Sequence, residues 1–444
     1  MSVNIQRSDA ENAYLDAFAV AEDTLPDAAW LEPMRKAARD RFAETGLPHR
    51  RMEAWRWTDL RTILDQGFPP ALSERQEGAG GVAQNSAFAA LDRHIVTFVD
   101  GYFRADLSDF DGLAGEVETV LLGAGLADAP GWLKDRFGQA FPDAEDTLSA
   151  LNTAFLTGGI AISVPAGTKV AKPIELVFAG TGTAPETLNT RCLIHVAKGA
   201  DVTVLDSHTG AGAGSYVANN WTEVFVEDGG RAQHVKVQAE APDAVHLANL
   251  HAVVGAEADF RAFCLHTGAR AARNQIQVRL AGEGGHANIA SAYMLSGRQH
   301  CDTALMVDHA VAKCTSNELF KCVMDDHARG IFQGKIIVRP DAQQTDGMQM
   351  TKGLLLSETA EFDAKPELEI FADDVRCTHG ATSGELDEDS MFYLRSRGIP
   401  VDEAKSLLIG AFIGEAIEEV VGDEIRDGLT AFVAHMRDQA KESI

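Results

Sequence analysis

TEVFVE (222–227), AQHVKVQA (232–239), VHLANLHAVV (245–254) and FRAFCLH (260–266) follow one another with only a few residues between runs. Each run is too short for a helix and rich in Val, Phe and Leu, and Gly, Asp and Asn punctuate the gaps. That pattern predicts consecutive short strands. The same grain continues upstream in IAISV (160–164), IELVFA (174–179), RCLIHVA (191–197) and DVTVLD (201–206). Downstream it continues in NQIQVRLA (274–281), TALMVDHAV (303–311), GIFQGKIIV (330–338) and LEIFA (368–372). Some two hundred residues of evenly spaced strands predict a sandwich, a barrel or a β-helix. The length favours the β-helix, because the other two seldom need so many strands in one unit.

Both ends read as helical. Trp30, Leu31, Met34, Ala38 and Phe42 recur at helical spacing, with Gly46 as a stop. The stretch 69–85, rich in Gly, Ala and Gln, reads as a connection. HIVTFVDGYF (94–103) predicts a hairpin turning at Asp100-Gly101, and 146–155 a further helix. Beyond the strands, Asp387 caps a helix that carries Glu388 and Asp389 in its first turn and Gly398 beyond its end. Pro400 opens a second helix ending near Gly422. Leu408, Phe412, Ala416 and Val420 form one apolar face of it, and Ile409, Ile413, Ile417 and Val421 another, which predicts burial on two sides. A third helix carries Ile425, Leu429, Phe432, Val433 and Met436 on one face. The division that follows is 1–155 helical and mixed, 156–384 strands, and 385–444 helical.

Of the 444 residues, 66 are acidic against 39 basic, a formal net charge of −27. Phosphate neutralisation needs clustered Lys and Arg, so the balance argues against nucleic acid as a partner. The most apolar helical stretch, 407–421, is interrupted by Glu415, Glu418 and Glu419, which argues against a membrane span. The N-terminus has no apolar signal core, so the expected compartment is the cytoplasm.

The six cysteines, Cys192, Cys264, Cys301, Cys314, Cys322 and Cys377, include no CxxC pair. Neither a disulfide framework nor a resident cluster is expected, and all but Cys377 read as small buried hydrophobes. GAGAGS (210–215) lacks the GK[ST] of a phosphate loop, so ATP hydrolysis is not expected of this chain. The histidines between 195 and 327 lie in separate runs without HxH or HExxH spacing, and read as structural or surface residues. Asp325-Asp326 and Asp373-Asp374 are the paired acids that a β-helix polysaccharide-active enzyme would use, an alternative of low weight. Cys377 and His379 are different. If LEIFADDV leads into a strand, they share one face with Cα atoms about 7 Å apart. A sulfur and a nitrogen suit iron, but two ligands leave a site that a partner must complete. Between them the imidazole is the better donor at neutral pH, since a thiol needs an activating charge.

HARGIFQGKIIV (327–338) resembles the ARGxFxGKIxV strand pair of the SufB/SufD family of iron–sulfur assembly scaffolds. QQTDGMQMTKGLLLSETAEFDAKPELEIFADDVRCTHGATSGELDEDSMFYLRSRGIP (343–400) is similar to the SufD branch nearly throughout, and GLPHRRMEAWRWTDL (46–60) to its GLPxRxxExWxxTxL pattern. SufB carries glutamates flanking the histidine and a cysteine before its Leu-rich strand. Here Gly380 follows His379, and TKGLLLS (351–357) has no cysteine, so the SufB-type alternative loses weight. The resemblance implies a right-handed parallel β-helix between helical ends, and a non-catalytic scaffold subunit. It implies pairing with a SufB-like paralogue through the β-helix ends, or a homodimer when that paralogue is missing. It also implies docking of a SufC ATPase, which would hold the ATPase activity, by the C-terminal helices through Leu408, Phe412, Ile413, Leu429 and Phe432. No cofactor would be stably bound by the chain alone. A transient iron–sulfur cluster would be shared with SufB, with His379 as a metal ligand and Cys377 beside it. Gly380 would leave room for a partner's side chain.

Overall fold

The computed structural model describes residues 7–64, 66–74, 82–109, 111–141, 146–212, 214–420 and 422–442, without the side chains of 111 and 438–442. Val421 and part of the 69–85 connection therefore lie outside the described residues. The N-terminal part contains helices α1 (Asp9–Ala21), α2 (Glu32–Thr45) and α3 (Leu60–Ile63), then strands β1 (His94–Val99), β2 (Tyr102–Phe103) and β3 (Glu118–Leu121). Helices α4 (Gly131–Arg136) and α5 (Thr147–Ala154) complete it. Helix α1 begins with a reciprocal cap: the Ser8 hydroxyl accepts from Glu11 N–H, and the Glu11 carboxylate accepts from Ser8 N–H. Helix α2 stops at Gly46, whose φ of +68° favours glycine. The predicted hairpin at 94–103 is present as the antiparallel pair β1–β2.

Among the described residues, sixteen strands then follow without a helix. They are β4 (Gly158–Val164), β5 (Ile174–Gly180), β6 (Thr187–Val196), β7 (Asp201–Gly210), β8 (Val217–Val226), β9 (Arg231–Ala239), β10 (Val245–Val254) and β11 (Asp259–His266). The series continues with β12 (Ala271–Leu280), β13 (His286–Leu295), β14 (His300–His309), β15 (Thr315–Met324), β16 (Arg329–Val338), β17 (Asp346–Leu355), β18 (Glu361–Ile370) and β19 (Arg376–Gly384). Even-numbered strands from β4 to β18 form one sheet with β3. Odd-numbered strands from β5 to β19 form the other with β1 and β2. Each strand thus pairs in parallel with the one two places on, as Val217 with Val245, Val245 with Ala271, and Ala271 with His300. A chain that crosses between two sheets at every turn is a parallel β-helix, which settles the choice left open by strand spacing.

Alternation decides which side chains enter the interior. In β11, Phe260 and Ala262 face inward with Ile289, Phe320 and Phe332, whereas Phe263 and Leu265 face outward. The outer face of the odd-strand sheet is covered by the C-terminal helices α7 (Val401–Ile417) and α8 (Asp423–Glu442), reached through α6 (Glu388–Ser396). Ile413, Ala416, Ile417, Val420, Leu429 and Val433 form one apolar cluster there with Phe88 and with Leu205, Val235, Phe263, Leu265 and Ala290 of the sheet. Helices α1, α2 and α5 cover Val217, Val245 and Leu247 of the other sheet. Helix α6 keeps the predicted cap, with the Asp387 carboxylate accepting from Ser390 N–H. Helix α7 departs from the expectation of burial on two sides. One face lies on the sheet, while Val401 and Leu407 of its first half are exposed.

Candidate functional site

Cys377 and His379 both lie in β19, the last strand of the odd-strand sheet. Register aligns Cys377 with Gly347 and His379 with Gln349, and Gln349 with Glu318. All are of inward parity. Cys377 packs with Ile336, Val338 and Leu368 of the opposite sheet, and a Cβ placed on Gly347 would lie 3.7 Å from its sulfur. His379 is exposed although it is inward-facing, because the solenoid stops one rung short of covering it. Beneath it, Gln349 and Glu318 are completely buried, and among the described residues neither the amide nor the carboxyl group makes a well-formed hydrogen bond, although the Ser316 hydroxyl lies near the acid. Burial pushes the Glu318 carboxyl up to about 8, with the nearby Ser316 hydroxyl pulling the other way. An imidazole at the mouth, an amide below and a neutral acid at the base form one polar column across three rungs.

The adjacent thiol is not activated. Burial pushes Cys377 upward, and Asp346 and Glu318 push in the same direction. Arg376 points to the other face, where its guanidinium lies 3.5 Å from Asp346. Gly380 faces outward, where a Cβ built on it would meet the end of the flexible Met350 side chain at 2.7 Å. The rim does expose apolar surface at Met348, Ile370 and Phe371. The outer edges of β18 and β19 pair with no further strand among the described residues.

The residues expected to dock an ATPase divide. Ile413 and Leu429 are fully buried against the chain's own sheet and offer nothing to a partner, a correction to the sequence reading. An apolar helical stripe does not reveal whether its sheet belongs to the same chain. Phe412 is half-buried, with the Lys321 ammonium 4.5 Å from its ring centroid, and Phe432 is half-buried on the same cluster. Leu408 is half-buried. The exposed apolar side chains in this region are Phe392 and Tyr393 of α6, with Val401 and Leu407 of α7. Sequence reasoning missed these four, although adjacent aromatics, Phe392-Tyr393, in a short helix were a visible signal.

Mid-solenoid, four histidines from separate runs converge inside the β-helix. His208 Nε2 lies 2.8 Å and His234 Nε2 3.2 Å from the Asp206 carboxylate, and His246 Nδ1 lies 3.0 Å from Glu240 Oε1. His266 is buried in the same region, pushed down by its burial and by Lys236. Donor atoms of His208, Glu240 and His246 lie within 4.8 Å of one another, the one such group among the described residues. The Lys236 ammonium, however, lies 2.6 Å from His246 Nε2, and Gln238 donates to Glu240 at 2.7 Å. Lys236, Gln238, Glu240 and His246 are thus already joined to one another, whereas neither ring nitrogen of His208 makes a well-formed hydrogen bond among the described residues. Burial holds His246 down to about 4. Cys192, Cys264, Cys301, Cys314 and Cys322 are buried. The Asp325-Asp326 pair serves a turn: Asp326 accepts from Gly297 N–H, and Asp325 from Asp326 N–H. No described helix is long and apolar enough to cross a membrane.

Comparison with known proteins agrees with this architecture. Residues 178–412 match the family described as SUF system FeS cluster assembly, SufBD core domain, and residues 8–176 match the SufBD protein N-terminal region. An iron–sulfur cluster assembly SufBD family protein of Synechocystis is 30% identical over 87% of this chain and 86% of its own length. The iron–sulfur cluster assembly protein SufD of Escherichia coli is 30% identical over 90% of this chain and 91% of its own. The chloroplastic protein ABCI7 of Arabidopsis thaliana is 28% identical over 96% and 91%. A parallel β-helix with helical segments before and after it, a polar column at its open rung and these matches together make the chain a member of the SufBD family of iron–sulfur cluster assembly proteins.

Proposed function

We propose that this chain is a SufD-type scaffold subunit, without catalysis of its own, that receives a nascent iron–sulfur cluster at an interface with a SufB-like paralogue. The observation that carries the reading is the open last rung. There His379 is exposed at the mouth of an inward column, beside two unpaired strand edges and the apolar rim of Met348, Ile370 and Phe371. An unpaired edge is a row of free donors and acceptors that a second β-helix could extend. His379 would supply one nitrogen ligand to the cluster in transit, with Cys377 secondary because its thiol is held protonated. The partner would supply the remaining ligands, since two donors do not complete a tetrahedral iron site. A SufC-type ATPase would dock on Phe392, Tyr393, Val401 and Leu407, with Leu408, Phe412 and Phe432 at its margin.

The test is the cluster content of the complex co-purified with a SufB-like subunit and a SufC-type ATPase. His379→Ala should leave assembly intact, because one rim side chain rarely decides a large interface. Iron and acid-labile sulfide per assembled complex should nevertheless fall sharply, and Cys377→Ser should be milder. Wild-type iron and sulfide in an intact His379→Ala complex would leave the histidine a structural residue. The isolated chain should be colourless and without ATPase activity. A stoichiometric brown chromophore after reconstitution would instead favour the SufB type.

A further inference from the structure

The segment 46–60 supplies no residue to the cluster site or the docking surface proposed above, yet it is anchored firmly to the solenoid. It lies on the outer face of the even-strand sheet, near β12, β14 and β16. Trp55 is buried, with the Arg273 guanidinium 4.5 Å from its ring centroid, and Arg273 also donates to Ala54 O at 2.9 Å. Arg273 is itself buried and lies 2.5 Å from Asp302, whose carboxylate also accepts from the Thr58 hydroxyl. Thr58 in turn contacts His300 Nε2 at 2.9 Å. Trp55 and Thr58 are therefore anchored into the sheet, and the two residues between them, Arg56 and Trp57, are left facing a groove.

That groove, of about 570 Å³, is lined by Arg50, Arg56, Trp57, Arg270, Arg298 and Arg329. Arg270 precedes β12, Arg298 lies in the turn before β14, and Arg329 begins β16, so the helical stacking of rungs brings them together. Asp59 is the one acidic residue in the lining, and its carboxylate is 4.0 Å from Arg50. Arg270 donates to Ile63 O, and Arg329 is paired with both Asp363 and Glu361, so the groove's excess positive charge rests mainly on Arg56, Arg270 and Arg298. Arg56 and Arg298 make no ion pair among the described residues. With Arg50 near Asp59 and Arg329 held by Asp363 and Glu361, Arg56, Arg270 and Arg298 are left without a carboxylate partner among the described residues, and their like charges repel one another.

We infer that this groove binds a small phosphate-bearing ligand with a planar ring, of the nucleotide class. Guanidinium forks match phosphate oxygens in pairs, which a lysine cluster would not do with the same geometry. Trp57 offers a face for a ring to stack on, and Arg56, 5.6 Å from that ring's centroid, would sit beside it. The volume is that of a small-molecule site, which favours a compact anion over an acidic polypeptide. His300, pushed down by burial, remains a neutral wall of the groove.

Calorimetric titration of the full chain with ADP, inorganic pyrophosphate and adenosine tests this. Pyrophosphate should bind, ADP should bind more tightly, adenosine should give no signal, and affinity should fall as salt rises past about 0.1 M. Arg56→Ser with Arg298→Ser should weaken ADP about tenfold or more, about 1.4 kcal/mol, without changing the melting temperature, since both residues are exposed. Trp57→Leu should reduce ADP to the level of pyrophosphate and leave pyrophosphate unchanged. Absence of binding by both ADP and pyrophosphate at millimolar concentration overturns the inference. So does ADP binding that the arginine double variant leaves intact. A poly-glutamate peptide that displaces ADP and binds more tightly overturns it in favour of a protein partner.

Discussion

Replacing Glu318 by Gln should flatten one limb of the protein's pH dependence. Glu318 is completely buried without a well-formed hydrogen bond among the described residues, and burial moves its carboxyl from an ordinary 4.5 up to about 8. In the unfolded chain the group loses its proton near the ordinary value. Between pH 4.5 and 8 the folded state therefore holds a proton that the unfolded state releases. Stability falls through that window by about 1.4 kcal/mol per pH unit. The accumulated penalty is about 2 kcal/mol at pH 6 and about 4 kcal/mol at pH 8. Glutamine has the same shape and no titration, so its own cost, of order 1–3 kcal/mol for a buried amide, does not vary with pH. The discriminating quantity is therefore the difference in slope. Amide hydrogen exchange of β15 and β17 reads it locally, since the opening of one region of a solenoid need not be global. The intrinsic exchange rate changes equally in both proteins and cancels. Glu318→Gln should gain about 2 kcal/mol of protection relative to wild type between pH 6 and pH 8. Parallel profiles for the two proteins would refute the placement of an uncharged acid beneath His379.

Other perturbations separate structure from recognition. Arg273→Met strands Asp302 as a buried charge, so a loss of about 3–5 kcal/mol and trypsin cleavage within 48–58 are expected, read by melting and limited proteolysis. Ile413→Ala or Leu429→Ala leaves a hole against the sheet and should cost about 2–5 kcal/mol by thermal melting. Phe392→Ala with Leu407→Ala should leave melting unchanged and weaken capture of a SufC-type ATPase in co-purification. On acidification the buried His246, held down to about 4, must charge as the chain unfolds. Stability should fall as pH drops from 6.5 to 4, by about 1.4 kcal/mol per unit, and His246→Gln should shrink that slope in melting curves.

Much of the fold could be read from residue order. The apolar runs from IAISV onward fall on strands, and the caps at Asp387 and Gly46 stand where their chemistry put them. The rung neighbours could not be read. Val217, Val245, Ala271, His300, Arg329 and Glu361 stack in one column, yet their spacing in sequence is uneven, so no fixed period would align Glu318 with Gln349 and His379. The same unevenness hid the meeting of His208, His234, His246 and His266. The lone pair Cys377 and His379 was legible because two residues apart on a strand is a local relation. Leu408, Phe412, Ile413, Leu429 and Phe432 carried the opposite problem. Hydrophobic periodicity located the helices, but it is blind to which surface lies beneath them.

Helix α7 lies across β13 and β15 at once, within an apolar cluster that also holds Val235, Phe263, Ala290 and Val323 of the odd-strand sheet. A bare solenoid under tension at its last rung would peel strand by strand, each step breaking only one ladder. With α7 fastened across neighbouring odd-numbered strands, a force applied to its exposed turns is instead a shear shared by those strands in parallel. The load-carrying element is then the helix–sheet seam and not the terminal hydrogen bonds. A pull or rotation imposed at α6 and the start of α7 would reach the rungs bearing Glu318 and Gln349 as a rigid-body displacement, with the open end carried along intact.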